Sequence, residues 1–308
     1  MQPSSVSPSK ARLPALVVGA SAFGRFHVRE LVRLGYGPIA IVGSNARSAA
    51  ATIERLQPLH PVPLIACADV AAGLATDPSA VTICTPPPTH LALLRELSRS
   101  AAYVMCEKPM FWDPAIGSAA AASIALDLLA RFSGRLVVNH LNTVLGHAFA
   151  RTIAQRPGRF RFAYSAARES YGQEIAIDLL PHALSVLIAV LGPGEARGIE
   201  RTVAADRFDV AFDWNGTACR FELRRMPGPS MIEIECDGVI ARRDQRAVGE
   251  RMAVALAFGD GRRVETPNPL EAMFDAFDRA LRSGSPLTEY DELTTGIVRW
   301  SYALAGLE

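Results

Sequence analysis

The sequence lacks three features that would place it in a narrow class: an ordered cysteine pattern, an excess of one charge, and a long apolar run. Its five cysteines, an odd number, show no metal-ligand spacing and suit a reducing compartment. The 32 basic and 31 acidic residues nearly cancel and form no basic block. This balance argues against nucleic acid or an anionic membrane surface as a partner.

No membrane-spanning segment or signal peptide is predicted. The N-terminal residues 1–13 are polar and are interpreted as a loose tail. The most apolar helical stretch, residues 115–129, is interrupted by polar residues and is too short to cross a bilayer. We therefore predict a cytoplasmic protein that has no membrane partner and no bound metal.

The first half of the chain alternates short apolar strands with amphipathic helices. Continuous apolar strands joined by helices are typical of a parallel sheet that is covered on both faces. We predict a doubly wound parallel sheet, a Rossmann dinucleotide-binding domain, over residues 1–140. Its six predicted strands are residues 15–20, 38–43, 62–67, 80–85, 102–106 and 134–140.

The second half changes to alternating strands. Residues 159–166 and 207–214 place aromatic side chains on one face, and Asn215-Gly216 is a strong hairpin signal. A late helix is expected to begin at Asn268, with Pro269 in its first position. Residues 141–308 are predicted to form an α+β domain, a largely antiparallel open sheet with helices on one face, for substrate binding and oligomerisation.

The first strand–helix turn reads G-A-S-A-F-G, from Gly19 to Gly24. A dinucleotide site requires a tight turn, close backbone approach to the pyrophosphate and a helix N-terminus that faces the anion. Serine replaces the middle glycine, but it is small and can donate a hydrogen bond to phosphate. Cofactor binding is predicted for the following residues of this turn: Gly19, Ser21, Ala22, Phe23 and Gly24.

The end of the second strand indicates which dinucleotide is bound. An acidic residue is expected there for NAD, because a carboxylate receives the ribose 2′-hydroxyl. The sequence has none at this point, whereas Ser44, Asn45 and Arg47 could hold a 2′-phosphate. In the alternative interpretation these residues simply begin and cap a helix. The missing acid favours NADP(H) over NAD(H).

Three further motifs resemble those of the Gfo/Idh/MocA family of oxidoreductases, the relatives of glucose-fructose oxidoreductase and inositol dehydrogenase. They are VTICTPPPTH (81–90), EKP (107–109) and IDLLPH (177–182). With the glycine turn and the change to alternating strands, the resemblance covers nearly the whole chain. It implies a nicotinamide-dependent dehydrogenase or reductase, with a Lys108–Pro109 bond that is often cis in relatives.

Lys108, Asp178 and His182 are the predicted catalytic residues. Ligands of open α/β sheets bind beyond the carboxyl ends of the strands, and Lys108 follows the fifth strand. Asp178 and His182 are four residues apart and share one face of a helix, where Pro181 is acceptable in the first turn. Imidazole titrates near neutrality and suits general acid–base catalysis. A core histidine and a surface lysine are the alternatives that the motifs disfavour.

Other candidates flank these motifs. Cofactor contacts are predicted for Thr85, Pro86, His90, Glu107 and Lys108, although His90 could equally cap and pack its helix. Where many relatives carry an N-x-R-F-like stretch, this chain has His140 and Asn142. These two residues and Tyr171 are candidate substrate contacts.

The resulting hypothesis is hydride transfer between NADP(H) and a secondary alcohol or ketone of a sugar-like or cyclic small molecule. Two alternatives remain open. One is a reductase of cyclic imines such as thiazolines, because the segments FGRF and GSNARS resemble those of the imine reductase branch of the family. The other is a regulator that senses a nucleotide and catalyses no reaction. Sheets of relatives pack face to face, which implies a homodimer or homotetramer through the C-terminal sheet.

Overall fold

The computed structural model describes residues 12–167, 170–248 and 251–307. Contacts group the chain into two compact units, Met1–Thr85 with Ser100–Val104, and Pro86–Arg99 with Met105–Glu308. The predicted domain boundary at residue 140 stays a prediction. Residues 1–11 of the predicted tail lie outside the described residues.

The first sheet has six strands. In chain order its elements are β1 (Ala15–Val18), α1 (Gly24–Arg33), β2 (Ile39–Val42), α2 (Ala46–Leu56), β3 (Leu64–Cys67), α3 (Val70–Leu74), β4 (Ala80–Ile83), α4 (Pro87–Leu97), β5 (Tyr103–Cys106), α5 (Ser118–Phe132) and β6 (Leu136–Val138). The strand order is β3-β2-β1-β4-β5-β6, and β1 pairs in parallel with both β2 and β4. Every residue of β1, β2 and β4 is buried, as strands covered on both faces require. The doubly wound prediction is confirmed, although the strands are shorter than expected.

The second sheet has eight strands. Its elements are α6 (Thr143–Ala150), β7 (Arg159–Ala166), α7 (Glu174–Leu191), β8 (Ala196–Ala204), β9 (Arg207–Trp214), β10 (Thr217–Arg225), β11 (Met231–Cys236), β12 (Val239–Val248), β13 (Arg251–Phe258), β14 (Arg263–Thr266), α8 (Pro269–Ser283) and α9 (Asp291–Ala305). The order is β14-β13-β12-β11-β7-β10-β9-β8. The sheet is largely antiparallel, as predicted, but β7 lies between β10 and β11 and pairs with β10 in parallel. The polar strand β8 has no regular alternation and was not predicted.

Aromatic residues build the core between this sheet and α7. Phe212 and Phe221 meet edge to face with ring centroids 5.1 Å apart, and Phe162 contacts Phe221 in the same manner. The hairpin predicted at Asn215-Gly216 forms, with φ of 50° and 86° at the two residues. The alternation of the sequence therefore identified the inward face correctly.

Helix α7 differs from the sequence expectation in its starting point. It begins at Glu174, so Pro181 lies inside the helix and not in its first turn. Proline has no N–H and cannot bond the carbonyl four residues earlier, which belongs to Ile177. By length and composition α7 could cross a membrane, but 72% of it is buried within the protein, as in the core helix of a globular protein. Packing on both sides explains why the helix continues through the proline.

The face of the eight-stranded sheet opposite α7 carries ion pairs. Arg161 in β7 lies at the centre and contacts the carboxylates of Glu222, Glu233 and Glu235 at 2.9, 2.6 and 3.3 Å. Glu222 and Glu233 raise the pKa of Arg161, although burial opposes the shift. Arg161 therefore links β7 to both of its neighbours, β10 and β11, and balances the negative charges that their glutamates place on this face.

We predict that Arg161→Met lowers the free energy of unfolding by about 1–2 kcal/mol, because three carboxylates lose their shared hydrogen-bond donor. Urea unfolding at neutral pH measures the change. Arg131→Met is the control, since Arg131 pairs with Asp127 on an exposed helix face, and no measurable change is expected. Equal effects of the two substitutions would contradict the central role of Arg161.

Candidate active site

The turn between β1 and α1 has the close packing that a pyrophosphate site requires. Gly19 has φ of +90°, and a Cβ there would lie 2.9 Å from the backbone of Cys84 and Thr85. A Cβ on Gly24 would lie 2.2 Å from the carbonyl oxygen of Gly19. Both positions therefore exclude any side chain, which brings the backbone of the turn to the N-terminus of α1. The residues present fit a dinucleotide phosphate group.

The remaining residues of the turn are open to solvent. Ser21, Ala22 and Phe23 are exposed, so their backbone is accessible to a ligand. Arg55 of α2 donates a hydrogen bond of 3.4 Å to the carbonyl oxygen of Ser21. The cation of Arg55 thus lies beside the phosphate turn, and the sequence interpretation missed it because Arg55 belongs to no motif.

The helix-capping interpretation of this segment is correct for Asn45. The Asn45 side chain accepts a 2.9 Å hydrogen bond from the backbone N–H of Ser48, and the Ser44 hydroxyl donates to the Ser48 hydroxyl. Asn45 is thus the N-cap of α2. Arg47 is exposed on the first turn of the helix. The phosphate contacts predicted for Ser44, Asn45 and Arg47 stay predictions.

Lys108 is held by Asp178. Its ammonium nitrogen Nζ lies 2.7 Å from Oδ1 of Asp178 and 2.8 Å from the main-chain oxygen of the same residue. The lysine side chain is 9% exposed and the aspartate side chain 17%. The Lys108–Pro109 bond is cis, the isomer that the resemblance implied. An ammonium group has three N–H donors, so one remains for a ligand oxygen.

His182 lies one helical turn beyond Asp178 and is 5% exposed. Its ring meets the ring of Tyr164 edge to face, with centroids 5.4 Å apart. Tyr164, whose alternation indicated only a core position, is therefore part of the site. The predicted substrate contact Tyr171 is 51% exposed, and the guanidinium of Arg225 lies 4.0 Å from its ring centroid.

Buried polar groups surround the loop that carries Lys108. Glu107 is 8% exposed and accepts a 2.6 Å hydrogen bond from the Asn139 amide. His140 and Asn142 are 3% and 1% exposed, yet none of their side-chain polar atoms has a partner among the described residues. Buried polar atoms without partners are rare and costly. These two side chains are therefore ready to bond a polar ligand or ordered water.

Burial lowers the pKa of His140 from 6.5 to about 3; the charge of Glu107 partly opposes this effect, whereas that of Lys108 adds to it. The imidazole is accordingly neutral at physiological pH. It offers one donor and one acceptor, and no positive charge.

His90 lies behind the loop. It has no exposed surface, and its Nδ1 is 2.9 Å from the carbonyl oxygen of Pro109 and 3.5 Å from the thiol of Cys106. These contacts agree with the alternative that His90 packs its helix, and its cofactor contact stays a prediction. Thr85 and Pro86 are at least partly exposed where they follow β4. Their cofactor contact stays a prediction.

A compositional signal also distinguishes Lys108. Among 32 basic residues the sequence contains lysine only at positions 10 and 108, and arginine at all others. Lysine and arginine are not interchangeable where a compact ammonium must approach a reacting oxygen. The single lysine of the described residues is thus the one that Asp178 holds.

Comparison with known proteins agrees with this arrangement. Residues 13–140 match the Gfo/Idh/MocA oxidoreductase family, described as having an NAD-binding Rossmann fold. No curated protein matches the chain in sequence.

Solved structures match over nearly the whole chain. A UDP-N-acetylglucosamine 3-dehydrogenase from Acidithiobacillus ferrooxidans is 18% identical, with a TM-score of 0.72 over 96% of this chain and 99% of that one. A 3-ketoreductase from Actinomadura kijaniata, solved with NADP and TDP-benzene, is 13% identical, with a TM-score of 0.72 over 96% and 97%. A putative myo-inositol dehydrogenase from Sinorhizobium meliloti 1021 is 18% identical, with a TM-score of 0.70 over 95% of each chain. At these identities the likeness shows the fold.

We predict that Gly24→Ala abolishes NADPH binding and lowers the free energy of unfolding by about 1–3 kcal/mol, because the added methyl overlaps the backbone of Gly19. Fluorescence titration and urea unfolding measure the two effects. The control is Gly296→Ala in α9, where a Cβ would lie an ordinary 3.6 Å from Ile188. A Gly24→Ala variant that binds NADPH like wild type would refute the close packing.

A second prediction concerns pH. Between pH 6.5 and about 3 the unfolded state protonates residue 140 while the folded state keeps it neutral, so the unfolded state binds more protons. Acidification below pH 6.5 should therefore cost wild type about 1.4 kcal/mol of stability per pH unit relative to His140→Gln. Urea unfolding at pH 7, 6 and 5 measures this difference. Parallel pH profiles of the two proteins would show that residue 140 is not buried in a neutral form.

Proposed function

We infer that this chain, a member of the Gfo/Idh/MocA oxidoreductase family by its residues 13–140, is an NADP(H)-dependent enzyme that transfers a hydride to or from a secondary alcohol or ketone. Its substrate would be a sugar-like or cyclic small molecule. NAD(P)-dependent oxidoreduction is the activity of the family, whereas the preference for NADP(H) and the substrate class are proposals. The chain would act in the cytoplasm.

One observation carries the proposal: the contact of 2.7 Å between Lys108 and Asp178, with His182 on the next turn of the same helix. The site thus brings together two side chains that can accept a proton, Asp178 and His182, and the positively charged ammonium group of Lys108. Oxidation of an alcohol needs a proton acceptor and a group that stabilises charge on the oxygen. A regulator without turnover would need none of these groups.

Each residue then has a distinct task. Lys108 donates its remaining N–H to the substrate oxygen and stabilises the negative charge that develops there. Asp178 fixes the ammonium group through its carboxylate and its main-chain oxygen. His182 accepts the hydroxyl proton in oxidation and returns it in reduction. The bound nicotinamide would accept or supply the hydride.

The buried His140 and Asn142 are proposed to bind further hydroxyl groups of the substrate. Their four side-chain polar atoms lack partners among the described residues, and a hydroxyl can both donate to and accept from such groups. A neutral imidazole and a carboxamide are well matched to neutral hydroxyls. This supports a polyol-like substrate over a thiazoline, which has no hydroxyl groups on its ring.

The test is a screen of NADPH oxidation with keto-sugars, keto-inositols and thiazolines, and of NADP⁺ reduction with the matching alcohols. We predict turnover in the polyol series and a loss of about 10²–10⁴-fold in kcat for Lys108→Met and for His182→Asn. The control is Lys10→Met, which removes the only other lysine and should leave kcat unchanged.

Three results would speak against the proposal. Turnover of thiazolines alone would support the imine reductase. NADPH binding without turnover of any substrate would support the regulator. Full activity of Lys108→Met would exclude the assigned role of the ion pair.

The cofactor preference is tested by fluorescence titration with NADPH and NADH. Arg47→Ala should weaken NADPH binding at least tenfold and leave NADH binding unchanged, since a guanidinium recognises the 2′-phosphate. Arg131→Ala, on an exposed helix face outside the cofactor motifs, serves as the control. Equal effects of Arg47→Ala on both cofactors would refute this recognition.

We also propose that the chain forms a homodimer or homotetramer through the eight-stranded sheet. Support comes from the face opposite α7, where Met231 and Ile240 are 49% and 37% exposed beside the Arg161 ion pairs. Apolar and paired charged side chains are common in such interfaces. Sedimentation analysis distinguishes these assemblies from a monomer.

A further inference from the structure

Arg243 in β12 carries a positive charge that no carboxylate of the described residues balances. Its guanidinium donates to the main-chain oxygen and the hydroxyl of Ser230, at 3.0 and 2.7 Å, and also hydrogen-bonds the side chain of Tyr164; none of these partners is a carboxylate. Its Nε is buried and has no hydrogen-bond partner among the described residues. No carboxylate of residues 12–167, 170–248 or 251–307 forms an ion pair with it. A shielded charge without a carboxylate partner is costly, which points to an anion that binds there.

Comparison with the neighbouring Arg242 shows that the lack of a carboxylate partner is particular to Arg243. Arg242 points to the opposite face of the sheet, is 65% exposed and forms an ion pair of 2.6 Å with Glu233. Burial lowers the pKa of Arg243, and Tyr164 partly compensates by favouring the charged form. The two arginines thus differ: Arg242 is exposed and pairs with a carboxylate, whereas Arg243 is largely shielded and has no carboxylate partner among the described residues.

Arg243 is also continuous with the proposed active site. Its guanidinium carbon lies 5.9 Å from the ring centroid of Tyr164, and that ring contacts the imidazole of His182. Asp178, one helical turn before His182, holds Lys108. An unbroken series of contacts within one unit of the chain therefore connects the catalytic ion pair to Arg243.

We propose that Arg243 binds an anionic group of the substrate, a carboxylate or a phosphate, while the neutral hydroxyl groups of the substrate lie near Lys108, His140 and Asn142. A guanidinium binds either anion through its N–H donors, and the Nε of Arg243 is a donor that has no partner among the described residues. The preferred member of the polyol-like class is then one that also carries an anionic group, an acidic sugar or a sugar phosphate. This inference rests on the proposed function and specifies its substrate class.

Calorimetric titration of the whole protein with D-glucuronate, D-glucose 6-phosphate and D-glucose tests the proposal. At least one of the two anionic sugars should bind wild type tenfold or more tightly than glucose, and the stronger one identifies carboxylate or phosphate. Arg243→Gln should reduce this affinity to that of glucose, and Arg243→Lys should retain part of it. Arg242→Gln, the exposed neighbour, should bind like wild type.

Two results would overturn the proposal: anionic sugars that bind wild type no more tightly than glucose, or equal losses in Arg243→Gln and Arg242→Gln. The first comparison uses wild type alone and does not depend on the folding of any variant. NADPH binding is measured on the same samples. Its absence would count against the proposed function, while the sugar titrations would still decide the role of Arg243.

Discussion

The contact between Lys108 and Asp178 is the constraint on which the proposed chemistry depends. It joins the loop after β5 to α7, two segments seventy residues apart in sequence, and both lie within one compact unit. An ammonium group and a carboxylate that are largely shielded from solvent must remain together, because separating them would leave each charge without its partner. His90, behind the loop, bonds the carbonyl oxygen of Pro109. The position of the lysine is thus determined from both sides.

The proline in α7 contributes to the same geometry. Pro181 cannot donate to the carbonyl oxygen of Ile177, and the next carbonyl oxygen, that of Asp178, accepts a hydrogen bond from Lys108. A residue that weakens the helix therefore lies where the helix binds another segment. The surrounding apolar side chains of α7 are buried and stabilise it despite the proline. Sequence reasoning placed this proline at a helix start because local rules carry no information about such packing.

Much of the fold could be predicted from sequence because it depends on local patterns. Apolar runs identified β1, β2 and β4, and alternation gave the inward face of β7 and β9. The position of β7 beside β10, and the polar strand β8, could not be predicted, since both depend on long-range pairing. In the site, motifs indicated Lys108 and His182. Arg243 and Tyr164 belong to no motif, and only the folded sheet brings Tyr164 to His182 and Arg243 to Tyr164.

The most direct test observes Lys108 itself. Protein labelled with ¹³C at lysine Cε should give two signals, from Lys10 and Lys108, because the sequence has no other lysine. We expect a Lys108 signal that is separate from that of Lys10. Its chemical shift should change in Asp178→Asn and should also change when NADPH is added to the wild type. A Lys108 signal that coincides with that of Lys10 and responds to neither change would contradict the ion pair and the catalytic role assigned to it.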